Sequence, residues 1–432
     1  MAIRVAFMSA CLLASGLGDA HAAAITTLVS FKGANGSNPQ GGLIIDSSGN
    51  LYGTTVGGGA NSLGTVFKLA KGASSYTLSS LLTFNSTNGR NPFNTLLADS
   101  SGNLYGTTAN GGTTFFDGNA FKLTKAGASY TFRNIATFTG TGAGRNGSFP
   151  EGLIADNGGN LFGVTNGGGS TGYGTVFELA KSGSSYTTTT LTTFDSTNGG
   201  NPFGTLVADG SGNLFGTTNQ YGPGGYGTVF ELVKNGANYT LATLATFNIA
   251  DGANPYGGLL IDGSGNLFGT TYDGGVHNAG TVFELAKTGP GYTFSTLASF
   301  ATSNGYVDGG LIQDAAGNLF GTTLGNVLNG GGGNKGMVFE LAKSTTGYEL
   351  DTLVTFDGTN GASPYSGLLV DTFGDLYGTT SAGGANDKGT VFKVSGSGYV
   401  LVASVLVPEP ASLMLLAAGL VSAVAVRRRI AG

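Results

Sequence analysis

A ten-residue block, "DSSGNLYGTT" at 46–55, returns almost unchanged at 99–108 and in recognisable form five more times. The aspartates that open the seven copies, Asp46, Asp99, Asp156, Asp209, Asp262, Asp314 and Asp371, stand 52 to 57 residues apart. Such a repeat constrains the fold more than any other feature, because a unit that recurs must bury the same surfaces against its own copies. Every copy continues in one order: a strand-like "GTVFKLA" or "GTVFELA", a Gly/Ser/Lys turn, a longer segment such as "SYTLSSLLTF", a loop such as "NSTNGRNPF", and "NTLLAD" into the next copy. Alternating apolar and polar residues, abundant Thr, Tyr, Phe and Val, and frequent glycines predict strands. Nothing between residues 24 and 400 reads as a capped amphipathic helix.

Four strands in about 53 residues fit one blade of a β-propeller, whose repeats run from ~40 to ~50 residues. β-Solenoid coils, the competing architecture, are far shorter. The expectation is an all-β, seven-bladed propeller over residues 23–406, closed by an end strand. Two segments are candidates for that strand, "AITTLVSF" near the start and "SGYVLVASVL" near the end.

Within the block, the aspartate can accept a backbone N–H two residues on and the glycine can supply the positive φ that closes a hairpin. The Leu and the aromatic that follow point to opposite sides of their strand, so each is expected to pack against a different neighbouring blade. The next glycine is expected to permit close backbone approach or a bulge near the axis. A calcium reading of D-x-x-G-N lacks the alternating carboxylates and distal bidentate glutamate that such loops use. The position that is Lys68, Lys122 or Lys393 in three copies and Glu178, Glu231, Glu284 or Glu340 in four reads as a solvated strand edge.

The block from Asp to "GTVF[KE]L", recurring over about residues 25–406, resembles the Gloeobacter/Verrucomicrobia-type tandem repeat of exported bacterial proteins with varied surface anchors. That resemblance implies an exported, propeller-like repeat protein and supplies no catalytic residues. Three copies depart from the pattern, with Val164 for the first Thr, "GNAFKL" at 118–123, and Asp375 for Asn.

The chain ends carry address signals. Residues 1–22 join Arg4, an apolar run from Val5 to Leu17, and Ala20 and Ala22 around His21, the order of a secretory signal peptide cut after Ala22. Its removal takes away Cys11, the single cysteine, and leaves His277 as the single histidine, which excludes thiol chemistry and disulfides. Residues 407–432 hold Pro408, Glu409 and Pro410, an uncharged apolar run at 411–426, and Arg427, Arg428 and Arg429. As a helix that run would span about 24 Å, with the arginines snorkelling on the cytoplasmic side. This order resembles the PEP-CTERM sorting signal of Gram-negative bacteria. The resemblance implies membrane anchoring by the C-terminal helix, cleavage near Pro408–Pro410 by an exosortase-type enzyme, and delivery to the cell surface or exopolysaccharide matrix. The bland alternative is a permanent tail anchor.

A net charge of −5 and the lack of an interior basic run exclude a nucleic-acid surface. No catalytic, cofactor or metal residues stand out. Periodic loop residues become a ring on one face of a propeller, and Phe93, Phe203, Tyr256 and Tyr365, three positions before the Leu of the first strand, are candidate ligand residues there. The other copies have Gln40, Pro150 and Asp308 at that offset. The first reading is a non-enzymatic binding or structural protein associated with exopolysaccharide or surface proteins. The second is a polysaccharide hydrolase or lyase working with carboxylates, for which Asp117, Glu151, Asp251, Asp273, Asp308 and Asp387 are the non-periodic acids.

Overall fold

The computed structural model describes residues 23–112, 117–325 and 334–401. The expected signal peptide with Ala20 and Ala22, and the sorting segment with Pro408, Glu409, Pro410 and Arg427–Arg429, lie outside the described residues. Among the described residues no helix is long and apolar enough to cross a membrane.

Seven antiparallel sheets form a closed, seven-bladed β-propeller. In blade one a short inner strand, Ile44–Ile45, is followed outward by Leu51–Thr55, Thr65–Lys71 and Tyr76–Thr83. The other blades repeat this order, although the inner strand is divided in blades three and six. Ala24–Ser30 takes the outermost place in blade seven, paired antiparallel with Thr390–Ser395 from Ala24 opposite Ser395 to Ser30 opposite Thr390. Of the two candidate closing segments, the N-terminal one therefore closes the ring. The start of the other runs beneath blade six, where the Tyr399 hydroxyl donates to the Gln313 carbonyl and its ring lies 5.1 Å from Phe320.

The repeated block explains the blade. In all seven copies the turn aspartate accepts the backbone N–H four residues on at 2.8–3.1 Å. In six it also accepts the N–H two residues on, the Asx-turn geometry, for example Ser48 to Asp46 at 2.9 Å. The motif asparagine reaches outward in six copies, its Oδ1 accepting the N–H of the lysine at or next to the end of the third strand. The carboxylate is thus committed to the turn, which supports the structural reading of D-x-x-G-N. At the seventh copy Asp375 replaces the asparagine and forms an ion pair with Lys393 instead.

The two threonines of "GTT" have separate tasks. The first sends its hydroxyl to the next blade's inner loop: Thr54 to the Asn94 carbonyl, Thr107 to Glu151, Thr270 to Gly309, Thr322 to Ser366 and Thr379 to Gly41, all at 3.0–3.2 Å. Val164 cannot make that bond, and its methyls are buried among Val176, Phe194 and Leu206. The second threonine bonds across to the threonine of "GTV", as in Thr55–Thr65 and Thr218–Thr228 at 2.9 Å. In the deviant "GNAFKL" copy, Asn119 keeps this link by accepting from Thr108 at 2.6 Å.

Seven hydrophobic clusters fill the seven blade boundaries. Leu104 packs with Tyr52 of blade one, whereas its neighbour Tyr105 packs with Leu161 of blade three, as the alternation predicts. Each boundary also holds an edge-on or tilted phenylalanine pair with centroids 4.9–5.3 Å apart, from Phe31–Phe67 to Phe356–Phe392.

The glycine of "LYGTT" serves a different end from the expected one. A Cβ on Gly53, Gly216 or Gly378 would stand 2.5–2.7 Å from the Cζ of Phe67, Phe230 or Phe392, so the glycine seats a phenylalanine ring from the adjoining strand, with no bulge there. The Lys/Glu position is also no solvated edge. It is half-buried on the third strand, opposite the motif aromatic. Lysine always faces tyrosine (Tyr52–Lys68, Tyr105–Lys122, Tyr377–Lys393) and lies 5.1–5.8 Å from the ring centroid. Glutamate always faces phenylalanine (Phe162–Glu178, Phe215–Glu231, Phe268–Glu284, Phe320–Glu340). The tyrosine hydroxyls donate to the turn aspartates, so a lysine beside them balances a charge and adds a cation–π contact.

Candidate functional site: the mouth of the axial cavity

The inner strands of the blades surround an axial cavity of about 840 Å³. Its chemistry is set by the loops that enter those strands at the end away from the D-x-x-G-N turns. In six blades the ring of a proline there lies over the glycine of the preceding blade's "GTV", as Pro92 does over Gly64 and Pro255 over Gly227. The residue before the proline takes positive φ, 53–56° at Asn38, Asn91, Asn201, Asn254 and Ser363. Asparagine tolerates that conformation well. These two devices aim the residue after the proline at the axis.

Phe93, Phe203, Tyr256 and Tyr365 all line the cavity, together with Gln40 and Asp308 from the same offset. They turn inward at its mouth instead of covering a blade edge. Phe93 stacks on Phe203 at 5.9 Å, Phe203 meets Tyr256 edge-on at 5.2 Å, Tyr256 meets Tyr272 at 5.6 Å, and Tyr272 stacks on Tyr306 at 5.0 Å. Five rings from blades two, four, five and six thus form one continuous run. Tyr365 stays 36% exposed, an open aromatic face.

Phe93 and Phe203 can meet because blade three, between them, is built differently. Its loop is one residue shorter: Pro150 packs over Gly118 as the other prolines do, and Pro150 pairs with Thr165 just as Pro202 pairs with Thr218. Glu151, and not Pro150, therefore fills the aromatic slot of blade three. Its side chain is completely buried, and neither carboxylate oxygen has a hydrogen-bond partner among the described residues. Asn94 is the polar side chain beside it, its amide donating to the Thr107 hydroxyl, and burial pushes the carboxyl well above the usual range. Just before it, Phe149 takes a φ of 56° and is 37% exposed. That conformation is strained for a bulky residue.

Of the other non-periodic acids, Asp251 and Asp387 belong to loop turns, bonded to the Asn248 amide and the Gly383 N–H. The Asp117 carbonyl accepts from the Phe149 N–H. Asp308 lines the cavity, and Asp273 follows the lining residue Tyr272. Both charges raise the hydroxyl pKa of Tyr256 and of Tyr272, after the larger effect of burial, which together push Tyr272 up to about 12. Burial alone raises Asp273 and pushes Asp308 up to about 7. Asp308 is in contact with the cavity yet enclosed by its walls, and enclosure by low-dielectric walls disfavours the charged carboxylate. His277 is exposed in the loop between Leu267–Thr271 and Thr281–Thr288, with no place in this site.

Residues 19–146 and 117–332 match the family described as the Gloeobacter/Verrucomicrobia repeat. The chain belongs to the Gloeobacter/Verrucomicrobia repeat family. Residues 406–429 match the PEP-CTERM protein-sorting motif, so this member of the repeat family is an exported protein with a Gram-negative sorting signal, which implies membrane-anchored sorting and processing by an exosortase. No curated protein matches the chain. Among solved structures it is similar to PorZ, a surface component of the type-IX secretion system of Porphyromonas gingivalis, with 14% identity and a TM-score of 0.51 over 84% of this chain and 47% of that one. It is also similar to the extracellular domain of a putative hybrid two-component system from B. thetaiotaomicron, at 14% identity and TM-score 0.48 over 85% of this chain and 40% of that one. A putative gluconolactonase aligns at 14% identity and TM-score 0.43, over 86% and 91% of the two chains. At these identities the likeness to PorZ concerns the fold alone, and the chain spans about half of PorZ's length.

Proposed function

We propose that this repeat protein is a non-enzymatic binding module of the cell surface or extracellular matrix, and that it holds exopolysaccharide at the aromatic mouth of its axial cavity. The observation that carries the reading is the run Phe93–Phe203–Tyr256–Tyr272–Tyr306, with Tyr365 open beside it. Aromatic faces stack on the apolar faces of sugar rings, and a cavity of about 840 Å³ lies in the range of small-ligand sites. A glycan array probed with the parent and with the Phe93→Ala, Phe203→Ala, Tyr256→Ala, Tyr365→Ala variant tests it. The expected result is a loss of about 100-fold or more in affinity, since stacked aromatics contribute on the order of 1 kcal/mol each beyond their buried area. Equal binding by both proteins contradicts the placement.

The boundaries that go with this reading are a signal peptide at 1–22, the propeller at 23–406, and a sorting segment at 407–432 with a membrane helix at 411–426. The mature protein leaves the membrane after cleavage near Pro408–Pro410. Intact-mass measurement on protein from its native host is expected to find residues 411–432 missing. Their retention favours a permanent anchor.

Asp308, raised to about 7 in the central cavity with Asp273 near, supports a second reading as a polysaccharide hydrolase, in which it would serve as general acid. Reducing ends released from a bound oligosaccharide by the parent and not by Asp308→Asn would favour that reading over binding alone.

A further inference from the structure

The charged residue that lines the mouth among the described residues is acidic, Asp308. Asp308 lines the cavity among Tyr256, Tyr272 and Tyr365, and Asp273 bears on Tyr256 and Tyr272. The basic residue of the lining, Lys125, belongs to the opposite end, against the Gly102 turn. An anionic sugar would meet the Asp308 carboxylate, with no basic lining residue at this end among the described residues. A neutral one can offer hydroxyl donors to Asp308 but no counter-charge. A ligand ammonium gains twice, from the carboxylate and from the faces of the surrounding tyrosines.

We propose that the mouth selects a glycan bearing a protonated amine, an amino sugar, with its ammonium against Asp308 and its ring on the neighbouring aromatics. This rests on the reading of the mouth as the glycan site. The titratable groups that feel Asp308 are Tyr256, Tyr272 and Tyr365, and Asp273 bears on the first two of them. All three tyrosines stay neutral near pH 7, because burial and the nearby carboxylates raise their pKa values further. Ionisation of Asp308 therefore governs the charge, and affinity for a cation rises with pH through its titration.

The test is titration calorimetry with glucosamine oligosaccharides of one length in three forms: N-acetylated, free amine, and trimethylated, whose charge does not vary with pH. The parent is expected to bind the free amine at least about tenfold tighter than the acetylated form at pH 7, and Asp308→Asn to abolish that preference. The trimethylated oligomer should gain about tenfold between pH 5 and pH 8 with the parent and stay constant with Asp308→Asn. Equal binding of acetylated and amine forms by the parent, or a preference that survives in Asp308→Asn, overturns the charge assignment while leaving the mouth as the site. Failure of all three forms to bind overturns both.

Discussion

A chain lacking residues 23–31 is expected not to fold to a single cooperative state. Ala24–Ser30 is the outer strand of blade seven, and Phe31, which follows it, is completely buried against Phe67 of blade one at 5.2 Å. Loss of a buried phenylalanine alone costs about 3–5 kcal/mol. Losing the strand as well exposes the ladder groups of Thr390–Ser395 and opens the boundary that joins the last blade to the first. Against a typical domain stability of about 5–15 kcal/mol, the sum removes most of the margin. Thermal and urea unfolding should show a broad, early transition with aggregation. Residues 24–31 attached behind Ser395 through an Asn-Gly turn should restore cooperative unfolding, because Ser395 faces Ala24 and a two-residue hairpin bridges such a pair, as it does between Ser182 and Ser185 in blade three. Parent-like unfolding of the truncated chain would mean that the C-terminal segment can take the seat.

The second large effect concerns Glu151. Its carboxyl is raised by burial and has no hydrogen-bond partner among the described residues, so the folded state favours the protonated form. For a group whose folded pKa is raised, the stability contribution is complete below the unfolded value of 4.5 and is lost as pH climbs towards the folded value. The loss accrues at about 1.4 kcal/mol per pH unit for as long as the folded group stays protonated. Glu151→Gln has no such titration. The parent should therefore weaken relative to the variant as pH rises from 4.5 towards neutrality, with the two urea-unfolding profiles diverging at that slope. Parallel profiles from pH 4 to pH 8 would show that the carboxylate finds a partner when it ionises.

Much of this architecture was legible because each blade repeats one physical problem. The spacing of the aspartates gave the number of blades, and Leu104 beside Tyr105 told which side faced which neighbour. The closing strand was not legible, since "AITTLVSF" and "SGYVLVASVL" carry the same pattern and differ only in which end of the chain reaches Thr390–Ser395 first. The mouth was half legible. Phe93, Phe203, Tyr256 and Tyr365 stood out by offset, but counting back from Leu153 selected Pro150, and the one-residue deletion that puts Glu151 in the slot emerges only when the prolines are aligned. Tyr272 follows "GTT" where other copies have Val56, Ala109, Asn166, Asn219, Leu324 and Ser381. One aromatic in a variable column had no periodic signal to mark it. The pairing of tyrosine with lysine and phenylalanine with glutamate was visible in the seven copies, and it shows that the Lys/Glu position answers to its cross-strand neighbour and not to solvent.

The proposed binding role depends on the axial mouth as the recognition surface. Hydrogen exchange read by mass spectrometry, on the full propeller with and without exopolysaccharide purified from the native host, addresses it most directly. Protection is expected in the inner segments 93–98, 203–207, 256–260, 308–312 and 365–369, which carry Phe93, Phe203, Tyr256, Tyr365 and Asp308. Unchanged exchange there, with protection confined to outer strands such as Tyr76–Thr83 or Asn238–Thr246, would contradict it.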